Sequence, residues 1–218
     1  MTVINFVKTL PENLVYAPIY KKDSLMKSGR KATGKNPLEE SWERDFDNHD
    51  LELAIEKNPD LQAVGLYTGI RGKGIVILDI DKDHAVLKRK WSETLIGAPK
   101  ITSTKKDAAK YIFTVPEALW GDVKGHGLRK EDGGNYEILW GRRQGVIYGA
   151  YPGGHSSEEG FYKLTGDLFK IPVAPAWLLA EMKAPPKPVQ NKKDLDFSDR
   201  TEDEISQIIH ECLSVISH

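Results

Sequence analysis

Cysteine occurs once in 218 residues, at Cys212, so no internal disulfide can form. That usage fits a reducing compartment. Six scattered histidines and one cysteine offer no zinc-ligand spacing. No apolar run approaches the ~20 residues that span a bilayer. Met1-Thr-Val-Ile-Asn also lacks the charged start and apolar core of a secretion signal. A soluble, cytoplasmic protein with no membrane partner is the expectation. Neither charge is in surplus: 31 Lys and Arg against 32 Asp and Glu leave a formal net charge of -1. No global basic field therefore announces nucleic acid. Basic residues do gather locally, at Lys88-Arg89-Lys90, at Lys105-Lys106 with Lys110, and at Arg142-Arg143. Each of these clusters also fits a solvated face.

The most informative segment is Gly74-Ile75-Val76-Ile77-Leu78-Asp79-Ile80-Asp81. A β-branched, apolar run reads as a buried strand, and two carboxylates follow at i and i+2 near its end. Side chains alternate across a strand, so Asp79 and Asp81 share one face. Two neighbouring carboxylates raise each other's pKa, and burial adds to the penalty. A divalent cation that prefers oxygen ligands removes it. The plainer reading is a strand end whose aspartates cap the next turn.

A chain of this length fits one large domain, or one domain with an appendage. Strands are expected over 15–20, 63–68, 101–103, 110–115, 135–140, 145–148 and 161–164, besides the aspartate strand. Helices are expected over 38–46, over 50–57 with Asn48 as cap, and over 84–95 and 176–182. The polar segment 21–36 reads as an exposed loop. Ile70-Arg71-Gly72-Lys73-Gly74 is too short for a helical crossover, so a hairpin is expected there, and another at 141–144. Helices mixed with hairpins suggest an α+β fold.

After Met182 the composition turns Pro- and Lys-rich, which marks a stiff linker over 183–198. Thr201-Glu-Asp-Glu204 has the form of a capping box. The helix it would open carries Ile205, Ile208, Ile209, Cys212, Leu213 and Ile216 at helical spacing. Such a stripe needs a partner surface, so 199–218 is expected to begin a helical C-terminal region that continues further.

Gly29-Arg-Lys-Ala-Thr-Gly34-Lys35-Asn36 has the outline of a P-loop. A P-loop, however, needs a hydroxyl residue after the lysine and a helix starting there. Asn36 has no hydroxyl, and Pro37 disfavours helical geometry at Asn36.

In order along the chain stand Gly34-Lys35-Asn36-Pro37 with Trp42 downstream, Gly65-Leu-Tyr67-Thr-Gly69, and the Asp79-Ile-Asp81 strand. This succession resembles the bifunctional primase–polymerase domain of the archaeo-eukaryotic primase superfamily, found in phage, plasmid and other mobile-element replication proteins. The resemblance covers roughly residues 15–180. It implies a small α/β module plus an RRM-like antiparallel sheet, with a catalytic domain over 1–182. It also implies that Asp79 and Asp81, with Glu137 of Tyr136-Glu137-Ile138, bind catalytic Mg²⁺ or Mn²⁺. Tyr151-Pro152-Gly-Gly-His155 and Gly160-Phe161-Tyr162 echo a later family motif. The middle motif departs from the pattern. Where family members carry Ser-x-His against the incoming triphosphate, this chain has Ser103, Lys105 and Lys106, with Lys110 at the histidine's place. A lysine neutralises phosphate as a point charge.

On this resemblance Ser103, Lys105, Lys106, Lys110 and His155 are expected on the nucleotide, and Arg30 and Lys35 on a single-stranded DNA template. Tyr67 and Trp140 fit base stacking or, more simply, the core. Nucleoside triphosphates would be substrates, and a helicase or accessory domain would follow at the C-terminus. The compartment would be the host cytoplasm if the protein is phage-encoded. Two other classes remain open: another D-x-D metal-dependent nucleotide enzyme, and a non-catalytic module that binds single-stranded nucleic acid.

Overall fold

The computed structural model describes residues 1–82, 84–131, 134–154 and 158–183. The chain runs through α1 (Val3–Val7), β1 (Tyr16–Tyr20), a 3₁₀ turn (Glu39–Trp42), α2 (Asn48–Lys57), β2 (Leu61–Tyr67) and β3 (Ile75–Lys82). It continues through α3 (His84–Leu95), β4 (Lys100–Thr102), β5 (Ala109–Thr114), a second 3₁₀ turn (Glu117–Leu119) and β6 (His126–Glu131). The last elements are β7 (Gly134–Leu139), β8 (Gln144–Tyr151), β9 (Gly160–Thr165) and α4 (Ala176–Lys183). The strands form one nine-stranded sheet in the order β1-β2-β8-β9-β4-β5-β3-β7-β6. Every ladder in it is antiparallel. With a large antiparallel sheet and few helices, the fold is α+β. Among the described residues no helix is long and apolar enough to cross a membrane.

Strand alternation divides the interior into two cores. On β3, Ile75 and Ile77 join a core with Phe6, Tyr16, Leu51, Leu66 and Ile147. Val76, Leu78 and Ile80 join the other, with Trp91, Tyr111, Phe113, Tyr136 and Leu178. β3 is thus apolar on both faces until Asp79, which is why it reads as a continuous hydrophobic run. Trp91 interrupts the helical geometry of α3 (φ -114°, ψ 15°). Its ring stacks on Trp177 of α4 at 4.2 Å between centroids and meets Tyr136 edge-on.

Neither expected hairpin pairs its own strands. β2 lies between β1 and β8, whereas β3 lies between β5 and β7. The 69–74 turn is closed by a single bridge between Gly69 and Ile75, and the strands then part. Gly69 (φ +75°) and Gly74 (φ +84°) take left-handed backbone that favours glycine. A Cβ on Gly72 would overlap the Tyr67 carbonyl oxygen. The 141–144 turn carries the chain from β7 to β8 in the same way. The two turns touch, Thr68 N–H donating to the Arg143 carbonyl at 3.0 Å. Short connections limited the helix content correctly but did not dictate which strands pair.

Other differences are local. The 38–46 segment makes one 3₁₀ turn instead of a helix, because Pro37 and Phe46 bridge back to Ile19 and Tyr16 along the edge of β1. The cap of α2 is Asp47, whose carboxylate accepts from Asp50 N–H at 2.8 Å. Asn48 instead donates its amide to the Leu10 carbonyl at 3.1 Å. No helix follows Asn36, whose Oδ1 accepts from Thr33 N–H at 2.7 Å, so the P-loop outline is a turn. α1 and β6 had no expectation in the sequence. The described elements belong to one compact unit, Met1–Ala184. The expected linker and apolar stripe fall outside the described residues, except Lys183, which closes α4.

Candidate functional site

Three neighbouring strands change character at the same level. In the first core Ile77 of β3 is flanked by its Cα partners Ile112 of β5 and Leu139 of β7. Two residues along each strand, on the same face, stand Asp79, Lys110 and Glu137. Asp79 is the Cα partner of both Lys110 and Glu137. A charged row therefore lies about 6.7 Å beyond an apolar row, two residues of strand rise. Alternation places Tyr111 and Phe113, Tyr136 and Ile138 in the opposite core.

This row floors a cleft of about 280 Å³ that also takes in Asp81, Ser103, Lys105, Lys35, Tyr151 and Tyr162. Lys110 Nζ is ion-paired with Asp79 Oδ2. Lys105 Nζ donates to Asp81 Oδ1 at 2.7 Å. Arg143 Nη1 lies 3.7 Å from Glu137 Oε2. Ser103 acts on the loop: its Oγ accepts from Lys105 N–H at 3.3 Å, a local turn that fixes the lysine's backbone. Burial lifts the Glu137 carboxyl above its usual range, and the charges of Asp79 and then Asp81 push the same way. Arg143 and Lys110 oppose that rise without cancelling it. Tyr162 is held protonated chiefly by burial, with Tyr151, Asp79 and Asp81 adding to the effect.

The structure brings Asp79, Asp81, Glu137, Ser103, Lys105 and Lys110 to one cleft. Lys35, expected on a template strand, lines the same cleft, and its carbonyl accepts from Gln144 Nε2 at 3.0 Å. Lys106 and Arg30 are exposed and do not line it. Lys105 and Lys106 are adjacent, and a left-handed Asp107 (φ 55°) ends their turn, so only the first points inward. His155 lies outside the described residues. Tyr67 and Trp140 are buried, Tyr67 donating its hydroxyl to the Ser41 carbonyl at 2.7 Å; both are core residues.

Sequence reasoning missed three contributors. Arg143 was visible only as half of a basic pair. Tyr151 and Tyr162 stood inside the quoted motifs, and their cleft-side placement follows from β8–β9 pairing, which no spacing reveals. A larger cavity of about 680 Å³ lies elsewhere, between α2 and the 21–36 loop. Its lining includes the Lys27–Glu40 and Arg44–Asp50 ion pairs and Lys57, among mostly apolar side chains.

Among the described residues no three His, Cys, Asp or Glu side chains stand close enough to form a ready metal cage. The donor chemistry nevertheless suits a hard divalent cation, since the acids of the cleft offer only carboxylate oxygens. Burial first, and then the charges of Asp79 and Asp81, disfavour the Glu137 carboxylate, and a cation held between these acids would relieve the second of those costs. No family model matches the sequence, and no curated protein matches it.

Proposed function

We propose that this chain is the catalytic domain of a primase–polymerase, joining nucleoside triphosphates into DNA or RNA on a single-stranded template during replication of a mobile element. One observation carries the reading: Asp79, Asp81 and Glu137 line a single cleft together with Lys35, Lys105 and Lys110. The finer architecture, an α/β module beside an RRM-like sheet, belongs to the same proposal.

Asp79, Asp81 and Glu137 would hold Mg²⁺ or Mn²⁺, which when bound activates the attacking 3′-hydroxyl and stabilises the leaving pyrophosphate. Lys105, Lys110 and Lys35 supply ammonium groups to phosphate oxygens. Ser103 sets the approach of Lys105 through its backbone. The buried Ile77–Ile112–Leu139 row beneath makes a stiff floor that fixes the strand positions from which Asp79, Lys110 and Glu137 project.

A second reading has its own support. Both aspartates are closed by lysines, as suits a module that binds single strands or nucleotides without chemistry. Template-dependent incorporation of labelled nucleotide with Mg²⁺ or Mn²⁺, lost in Asp79→Ala and Asp81→Ala, is expected. Single-strand binding without incorporation selects the module. Metal-dependent turnover of a nucleotide without a template selects another D-x-D enzyme.

A further inference from the structure

Were the proposed reading right, the cleft would receive a divalent cation and a polyphosphate. The groups that would take them are already joined to each other. Lys110 closes on Asp79, its Cα partner across the β3–β5 ladder, and the two side chains are only 19% and 14% exposed. Lys105 closes on Asp81 from the turn that Ser103 organises. A bare cation must therefore displace two ammonium groups from its ligands. A bare triphosphate must draw the same two ammonium groups away from the aspartates. Either event leaves charges unpaired, and the cost falls mainly on the Lys110–Asp79 pair, because Lys105 and Asp81 are 29% and 39% exposed and water screens them.

The charge of the lining points the same way. Asp79, Asp81 and Glu137 are matched by Lys35, Lys105 and Lys110, so the charges of the lining itself cancel, with Arg143 as a further, exposed cation beside Glu137 at its edge. A neutral lining attracts neither a lone cation nor a lone anion over distance. A ligand with a cationic and an anionic end satisfies both sets at once. Its cation takes the carboxylates and its phosphates take the released ammonium groups.

We infer that the Lys110–Asp79 and Lys105–Asp81 pairs are a latch that couples cation and triphosphate binding, so that the cleft takes their complex in preference to either component. This rests on the nucleotidyl-transfer reading. By linkage each ligand tightens the other by the same factor, ~5–150-fold for typical couplings.

The test is Mn²⁺ binding to the full chain, followed by the electron paramagnetic resonance of free Mn²⁺. Titrations are run with and without a non-hydrolysable triphosphate analogue, allowing for Mn²⁺ held by the analogue in solution. In the unaltered protein the analogue should tighten Mn²⁺ about tenfold or more. Lys105→Met with Lys110→Met should bind Mn²⁺ alone at least ~5-fold more tightly, and the analogue should then add little. Lys110→Arg, which keeps the cation, should leave metal-only affinity low. Equal Mn²⁺ affinity with and without analogue in the unaltered protein overturns the latch without any variant. So does a lysine double variant with unaltered affinity and coupling. Asp79→Asn with Asp81→Asn separates the two levels. If it abolishes Mn²⁺ binding while the lysine changes do nothing, the cation site stands and the latch falls. If Mn²⁺ binding ignores the aspartates, both fall.

Discussion

Asp79 and Glu137 face each other as Cα partners across the β3–β7 ladder, and the charge of Asp79 adds to burial in raising the pKa of Glu137. Like charges directly opposite on a sheet are destabilising. The pair is therefore a standing cost to the fold, held in place by the buried rows around it.

That cost has a pH signature. Glu137 titrates above its ordinary value of 4.5 in the folded protein. Its favourable contribution is complete below that value and is lost as pH rises through the folded one. Glu137→Gln should therefore unfold at a higher temperature than the unaltered protein at neutral pH. The advantage should shrink in acid. Thermal unfolding of both proteins between pH 4 and 8 measures this, and a difference independent of pH would rule out the assigned cause. The same variant should lose nucleotide incorporation.

Asp79 behaves differently on removal. Two aspartates read from sequence alone suggest relief of repulsion, with the fold intact or more heat-stable. In the structure Asp79 neutralises Lys110, whose side chain is 19% exposed. Asp79→Ala leaves that ammonium without its partner and should cost about 1–3 kcal/mol. Adding Lys110→Met should recover much of the loss, because the two changes share one interaction. Urea unfolding of the single and double variants gives the coupling, and strictly additive losses would show that the pair stabilises nothing.

Arg71 predicts a difference between two cations. Its Nε donates to Asp45 Oδ1 at 2.8 Å and its Nη2 to the Ser41 and Arg44 carbonyls at 2.5 and 2.7 Å. The guanidinium also lies over the Tyr67 ring at 4.0 Å. A lysine has no planar fork, so Arg71→Lys should lower stability by about 1–2 kcal/mol despite keeping the charge. Chemical denaturation checks it. Stability unchanged in Arg71→Lys would reduce the cluster to simple charge pairing.

How much of this was legible beforehand follows from the residues themselves. The β3 strand and the common face of Asp79 and Asp81 came from period-two alternation, which is local. The shared face of Lys110 with Ile112 follows from the same alternation, whereas the face of Glu137 depends on how β7 lies against β3. Which strands stand beside β3 is not local. The 69–74 and 141–144 turns look like hairpins, yet β2 pairs with β1 and β8 while β3 pairs with β5 and β7, and Ile75 and Ile77 meet Leu66 and Val146 only as members of one core. The lysine–aspartate pairs were illegible for the same reason, since they depend on β5 lying against β3 in one register. α1 escaped because five residues carry too little periodicity. β6 escaped because His126-Gly-Leu-Arg-Lys-Glu131 is largely polar and lies at the sheet edge.

The last prediction separates lysines that the sequence could not. Lys105 and Lys106 are neighbours of identical chemistry, yet only Lys105 lines the cleft, where it pairs with Asp81. A lysine acts on phosphate through charge, so its loss weakens ground-state binding more than turnover. Lys110→Ala and Lys105→Ala should each raise the apparent KM for nucleotide about tenfold, the cost of one charge-assisted contact of ~1.5 kcal/mol. Template affinity should change less. Lys110→Arg should retain part of the nucleotide affinity, because the charge still reaches the cleft from the same strand position. Lys106→Ala, altering an exposed side chain, should leave the nucleotide KM within about twofold. Steady-state incorporation at saturating cation and template gives all four values. A KM that responds to Lys106 and ignores Lys105 and Lys110 would move the phosphates to the outer face of the 104–107 turn, away from the carboxylates.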